Sequence, residues 1–188
     1  MPRASILTKE SLSLGVAMTF LDKAVLHFAR LDPSGLSPKA PGTAGSFFAA
    51  LLAPFLFLPF SLPARLAILA IVFVLGALAA TRAEVLLGRK DPGCIVIDEL
   101  VGQWIAMIFL SSFSADSTWR DAAFLLVPFV FFRIFDIWKP WPIHASESWL
   151  PNGWGIMIDD VFAGLWALVF TFATHYAITH LYPGVITL

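Results

Sequence analysis

Charge is scarce in this chain. Only 13% of its 188 residues are Asp, Glu, Lys or Arg, where a soluble domain carries about a quarter. The deficit argues against an ordinary water-soluble fold. Basic excess is missing too: the formal net charge is −1, so the basic face that a duplex binder needs is absent and nucleic acid is excluded as the main partner. Cysteine is nearly absent, and Cys94 alone cannot form an intrachain disulfide. Residues 1–30 mix charges with a modest amphipathic pattern. They lack a compact apolar stretch beside a small-residue cleavage site, so no cleavable signal peptide is expected. No internal repeat, low-complexity tract or second domain is visible. Apolar sequence dominates instead: 59% of residues are hydrophobic, with eighteen Phe and seven Trp, and the mean hydropathy is +0.82. That is the composition of a polytopic membrane protein.

Charge-free stretches lay out the helices. Residues 43–64 carry no charge and are long enough for a ~30 Å hydrocarbon layer, although Pro54, Pro59 and Pro63 are expected to kink or end the helix there. Further apolar runs cover residues 66–81, 100–115 and 122–132. The last is expected to continue as helix through Arg133, Asp136 and Lys139 until Pro140 and Pro142 stop it. A fifth runs from about 156 to 182. Several runs are shorter than the ~20 residues of a spanning helix, so they span only if their charged ends sit at the interface or inside the bundle. Residues 10–30, ESLSLGVAMTFLDKAVLHFAR, read as an amphipathic helix on the membrane surface or against the bundle. The expected fold is all-α: a single membrane domain over residues 1–188, with the amphipathic helix at 10–30 and a bundle of about five membrane helices at 35–182.

If all five segments cross, one face collects Arg3, Lys9, Lys23, Arg30, Lys39, Arg82, Arg89, Lys90, Arg133 and Lys139. The other holds only Arg65 and Arg120. The positive-inside rule makes the first face cytoplasmic. The same topology puts four polar clusters on that face: GLSPKAPGTAGS (35–46), DPGCIVIDELVG (91–102), FFRIFDIWKPWPI (131–143) and NGWGIMIDDVFAG (152–164).

In the first cluster, Gly42 and Gly45 allow close backbone approach, and Thr43 or Ser46 can cap the following helix. A capped start after a Pro-rich turn and a phosphate-binding helix N-terminus both fit. Asp98 and Glu99 open the third segment, where first-turn acids gain modestly from the helix dipole. Asp159 and Asp160 repeat the arrangement at the fifth. Gly102 and Gly164 follow about one turn later, and such residues let helices pack closely. Arg133, Asp136 and Lys139 are spaced at three residues and can share one helical flank, although either cation could equally snorkel to the interface.

Five carboxylates outnumber two cations, and an acid in mid-membrane costs roughly 2.5–3.5 kcal/mol even on forgiving scales. A hard divalent cation with oxygen ligands would offset their repulsion, and Mg²⁺ shared with a substrate phosphate is the usual chemistry.

At these residues the sequence resembles the phosphatidylglycerophosphatase A family of bacterial inner-membrane lipid phosphatases. GLSPKAPGTAGS, IVIDELVGQWI, FRIFDIWKPWPI and GIMIDDVFAG keep the family's order between residues 35 and 164. The resemblance implies a multi-pass protein of the bacterial inner (cytoplasmic) membrane with its site facing the cytoplasm. It implies a Mg²⁺-dependent enzyme that removes the terminal phosphate of the lipid phosphatidylglycerophosphate, leaving phosphatidylglycerol and inorganic phosphate. Asp98, Glu99, Asp136, Asp159 and Asp160 become metal ligands or catalytic carboxylates by the same route. Arg133 and Lys139 become phosphate-binding cations, supported by Thr43 and Ser46. The chain departs from the family where Lys90 precedes Asp91 in place of a common histidine, and where Cys94 replaces a common serine. Asp91 is then a secondary site residue.

Phosphoryl transfer asks for charge neutralisation and alignment, with either water or an aspartate as nucleophile. The rival reading is a transporter or proton relay, since intramembrane carboxylates mark ion pathways. The acids instead gather at one face, and no inverted repeat is visible. Cys94 lacks the arginine six residues on that a thiol phosphatase needs. His27, His175 and His180 read as interfacial, and His144 stands beside the proline motif as a further candidate.

Overall fold

Proline and glycine divide the apolar runs into helices. The computed structural model describes residues 18–110 and 119–181, and every regular element among them is helical. Helix α1 is Phe20–Ala29, followed by a short 3-10 turn at Ser34–Leu36. Then come α2, Pro41–Leu56, α3, Leu62–Leu87, and α4, Ile97–Ala106. The chain ends with α5, Trp119–Trp138, the single turn α6, Ile143–Ser146, and α7, Gly153–Leu181. Pro41 and Pro63 lie in the first turns of α2 and α3, where a missing N–H leaves no bond unmade. Gly88 closes α3 in the left-handed region at φ 61°.

The apolar stretch 43–64 is therefore two pieces: α2 ends at Leu56, with Pro54 in its last turn, and α3 restarts at Leu62. Helix α3 runs past the expected 66–81 and takes in Arg65, Arg82 and Glu84. The run 100–115 is helical only through Ala106, about 15 Å at 1.5 Å per residue, and residues 111–115 lie outside the described ones. Helix α5 stops at Trp138, one residue short of the expected Lys139, which turns off at φ 47°. Of the expected amphipathic helix, the described part is α1; residues 10–17 lie outside.

Two helices are long and apolar enough to cross a bilayer, Leu62–Leu87 and Gly153–Ile178. Their packing is inverted relative to a soluble core. Helix α3 buries Gly76, Ala77, Ala79, Ala80 and Ala83 and exposes Ile71, Val74, Leu75 and Leu78. Helix α7 buries Ala163, Gly164 and Ala167 and exposes Leu165, Val169 and Phe172. Small residues inside and large apolar ones outside suit helices that associate in lipid, where burying a Leu gains little and close approach gains more. The chain is a membrane protein by this pattern.

The helices run between two ends of the bundle. At one end, Arg65 in the first turn of α3 gathers orphan carbonyls. It donates to Phe60 O (2.9 Å), Ile108 O (2.6 Å), Leu110 O (2.7 Å) and Leu58 O, and its guanidinium lies 5.7 Å from the Phe57 ring centroid. The backbone beyond α4 is irregular, and its carbonyls need such a donor where water is absent. At the other end lie the starts of α2, α4 and α7 and the close of α5.

Helix α1 is tied to the close of α3. Thr19 and Asp22 form a capping box, and Asp22 Oδ1 accepts from Arg82 Nη2 (2.7 Å) and Nε (3.0 Å). These Arg82 bonds, helped by Thr19, hold the Asp22 pKa below its ordinary value. A depressed folded pKa makes the stabilisation fully present above the unfolded carboxylate range and lost as pH falls through the folded value.

Helix α4 meets α7 at Gly102 and Gly164: a Cβ on Gly164 would sit 2.5 Å from Gly102 O and 3.0 Å from Gly102 Cα. Gly164→Val is expected to lower the thermal midpoint of detergent-solubilised protein, at a cost of about 1–3 kcal/mol from overpacking. Leu165→Val, one residue along on the exposed face, should leave it nearly unmoved. For α1, hydrogen-exchange protection of residues 20–29 should persist through mildly acidic pH and fall only below the ordinary carboxylate range. Asp22→Asn should show the lowered protection at every pH.

Candidate functional site

Four chain segments meet at the end opposite Arg65. The core of the meeting is Arg133, on the last turns of α5. Its Nη1 lies 2.6 Å from Glu99 Oε2 on α4 and 3.0 Å from Asp136 Oδ2 on its own helix. Nη1 also donates to Ser46 Oγ on α2 at 3.1 Å, and the Ser46 hydroxyl lies 2.6 Å from Glu99 Oε2, to which it donates. Ser46 is fully buried and Glu99 nearly so. Glycine makes this closure possible, because a Cβ on Gly42 would fall within contact distance of Glu99 Oε1. Gly45 is equally tight, with Val96 Cβ 2.8 Å from the same construction.

A second ion-pair group lies beside it. Lys139 Nζ is 2.7 Å from Asp159 Oδ2 on α7 and 2.6 Å from Glu147 Oε1 just after α6. Burial disfavours the ammonium, but the bonds to Asp159 and Glu147 outweigh it and hold the Lys139 pKa above its ordinary value. Lys139, Asp159 and Glu147 share a cavity of about 460 Å³ with Lys90, Asp91 and Asn152. Lys139, Asp91 and Asn152 all have left-handed backbones, at φ 47°, 44° and 54°. Such conformations are uncommon outside glycine and collect at functional sites.

The expected site residues fall into three sets. Arg133, Glu99, Asp136 and Ser46 are in direct contact, and Lys139 is in contact with Asp159. Asp98 and Asp160 are close enough to these groups to interact electrostatically. Asp91 lines the cavity as an exposed residue, its N–H donating to Glu84 Oε1 at 2.8 Å. Thr43, in the first turn of α2, is exposed. His144 is a largely exposed cavity residue 3.8 Å from Glu147 Oε2.

Sequence reasoning missed Glu147. It lies beyond the proline motif, with no periodicity linking it to Lys139, so only the fold brings it there. Gln103, one turn after Glu99 on α4, was also passed over; it is fully buried with neither amide atom hydrogen-bonded.

Among the described residues, no three His, Cys, Asp or Glu side chains form a ready-made metal cage. The donor chemistry nonetheless fits a hard cation. Asp98 Oδ1, Asp159 Oδ1 and Asp160 Oδ2 are buried oxygens with no hydrogen-bond partner, which a divalent ion with oxygen preference would satisfy.

A family profile described as Phosphatidylglycerophosphatase A matches residues 27–175, a span that contains all four motif clusters. Phosphatidylglycerophosphatase A of Haemophilus influenzae is 38% identical over 143 residues, covering 76% of this chain and 83% of the relative. Phosphatidylglycerophosphatase A of Escherichia coli is 39% identical over 134 residues, covering 70% and 72%. A Bacteroides thetaiotaomicron protein provisionally named phosphatidylinositol-3-phosphatase is 37% identical over 140 residues, covering 72% and 84%. No solved structure matches the chain.

Gly42→Ala places a methyl group against the Glu99 carboxylate and must push it from Arg133 and Ser46. The expected cost is about 1–3 kcal/mol, read as a lower thermal midpoint. Ala44→Gly, a similar change in size on the same turn, should cost no more than about 1 kcal/mol through helix propensity.

Proposed function

The chain belongs to the phosphatidylglycerophosphatase A family, and from that premise we propose that it hydrolyses the terminal phosphate monoester of phosphatidylglycerophosphate to phosphatidylglycerol and inorganic phosphate. The observation that carries the reading is the convergence on one bundle end of Arg133, Lys139 and largely enclosed carboxylates from α4, α5 and α7. Family membership favours it over ion transport.

In this reading Arg133 takes phosphate oxygens. Its Nη1 is fixed by Glu99, Asp136 and Ser46, so the guanidinium needs little reorganisation as charge develops on the phosphoryl group. Lys139 supplies a second cation from the cavity wall, and the cavity, about 460 Å³, falls in the range of small-ligand sites. Mg²⁺ would be held by Asp98, Asp159 and Asp160, whose buried oxygens have no other partner. When bound, it supplies a Lewis acid and neutralises phosphate charge. Glu99 and Asp136, engaged with Arg133, hold the arginine; Thr43 and Asp91 line the approach.

The same reading sets the molecule in the bacterial inner membrane, with five chain segments crossing and the site at the cytoplasmic end. The Lys and Arg asymmetry supports this orientation. So does the alternation of segment ends, since Arg65 ties residues 58, 60, 108 and 110 at one end while Arg133 ties α2, α4 and α5 at the other. Lipid tails would stay among the exposed Leu, Val and Phe side chains while the head group reaches the cavity.

Purified protein supplied with phosphatidylglycerophosphate should release inorganic phosphate with Mg²⁺ present and stop when excess chelator removes it. Asp159→Asn and Asp160→Asn should each reduce release on the order of 10²–10³-fold while inserting normally, since an amide keeps the size and loses the charge. Ion flux in proteoliposomes without phosphate release would instead restore the transport reading. Near-full turnover in both variants would take these two aspartates out of the chemistry.

A further inference from the structure

Glu147 has no role in the reading above, yet it shares Lys139 with Asp159. The two carboxylates are not equivalent. The Asp159 side chain is 12% exposed, while that of Glu147 is 42% exposed and reaches in from the loop between α6 and α7. Both bonds to Lys139 Nζ are short, 2.6 Å to Glu147 and 2.7 Å to Asp159. All three side chains line the cavity of about 460 Å³.

An ammonium has three donors on a flexible stem and works as a point charge. A phosphate dianion that enters this cavity meets a Lys139 already held by two anions. The third donor is open to it, but a phosphate dianion placed there lies against two carboxylates, and that repulsion is relieved when one of them yields. Displacing the half-exposed Glu147 returns its carboxylate to water at little cost. Displacing Asp159 would strand a charge that is mostly buried. Lys139 itself leaves α5 in a left-handed backbone, so its reach is set by the chain and not by Glu147.

We infer that Glu147 is a placeholder anion: it occupies the Lys139 position that a substrate phosphate oxygen takes over, and so weakens phosphate binding at the site. This rests on the phosphatase reading. It makes Glu147 a positioning residue that acts through Lys139. Its place in the cycle is at both ends: it is exchanged out as the phosphomonoester arrives, and it returns to Lys139 as inorganic phosphate leaves.

The test uses full-length protein in detergent, with inorganic phosphate as the probe, titrated calorimetrically into wild type, Glu147→Gln and Glu147→Ala. Removing the competing charge should tighten phosphate binding about two- to fivefold in both variants, the scale of one partly exposed ion pair. KM for phosphatidylglycerophosphate should fall in parallel. A role for Glu147 in holding Lys139 predicts the opposite: weaker phosphate binding in Glu147→Ala, with Gln close to wild type because its amide oxygen still accepts. Weaker or unchanged binding in both variants overturns the inference. A wild-type protein that binds phosphate but does not hydrolyse the lipid would instead defeat the phosphatase reading, leaving the phosphate titration to decide the role of Glu147.

Discussion

Acids from three helices gather around Arg133, and without it they would repel one another. Glu99 arrives in the first turn of α4 and Asp136 near the end of α5, while Asp160, expected at the head of its helix, lies about two turns into α7 with its carboxylate buried. Taking these acids out of water is unfavourable, and their mutual repulsion grows as the dielectric falls. One guanidinium contacts Glu99, Asp136 and Ser46 together. All three contacts fall on Nη1, and the guanidinium tolerates the enclosure because it is weakly hydrated. Loss of either member of the Arg133–Glu99 pair leaves a buried charge uncompensated, which is the costly case for any buried ion pair. The fold therefore depends on the same contact that, in the proposed reaction, readies the cation for phosphate.

Close approach is the second constraint, and it follows from the first. For one arginine to reach acids on different helices, the backbones must lie near one another at that end. Gly42 leaves room for Glu99, Gly45 for Val96, and Gly102 and Gly164 for each other. Further along, α3 continues the theme with buried alanines, and its large side chains face outward. Apolar burial contributes little to helix association in a lipid surround, so geometry and polar pairing carry it. Trp104 illustrates both: it stacks on Phe57 with centroids 4.9 Å apart, and its indole N–H donates to Ala49 O at 2.9 Å.

Much of this was legible in the sequence because charge is so rare there. A chain with few acids that places adjacent pairs at 98–99 and 159–160 marks where its candidate site gathers, and the helices around them follow from apolar runs and proline positions. Helix ends were less legible. Residue 139 was expected inside a helix because Arg133, Asp136 and Lys139 keep its spacing, but the chain turns at Trp138, and the left-handed Lys139 points its ammonium toward α7. Helix α4 was expected to be longer because its apolar run continues past the point where Arg65, distant in sequence, takes up the carbonyls. Glu147 was invisible for the same reason: its partner is set by the fold, through a proline-broken loop that no periodicity describes.

In the proposed reaction the two cations divide the work by burial. Arg133 is mostly enclosed, its side chain 14% exposed, and its partners are fixed on helices. Lys139 is 30% exposed and has one partner on a helix and one on a loop. A rigid cation suits the charge that develops in the transition state, because it needs no rearrangement at the moment of reaction. A cation with one exchangeable partner suits arrival and departure, because a phosphate can enter without stranding a buried charge. Counting Glu147, six carboxylates face Arg133 and Lys139, with Lys90 a third cation on the cavity wall, and a phosphomonoester brings up to about two further negative charges. Three carboxylate oxygens, on Asp98, Asp159 and Asp160, remain buried and unpartnered after every protein contact is made. The protein's own cations cannot balance that total. The Mg²⁺ proposed above would meet those oxygens as it arrives with the phosphate, since oxygen-only donors suit a hard divalent ion.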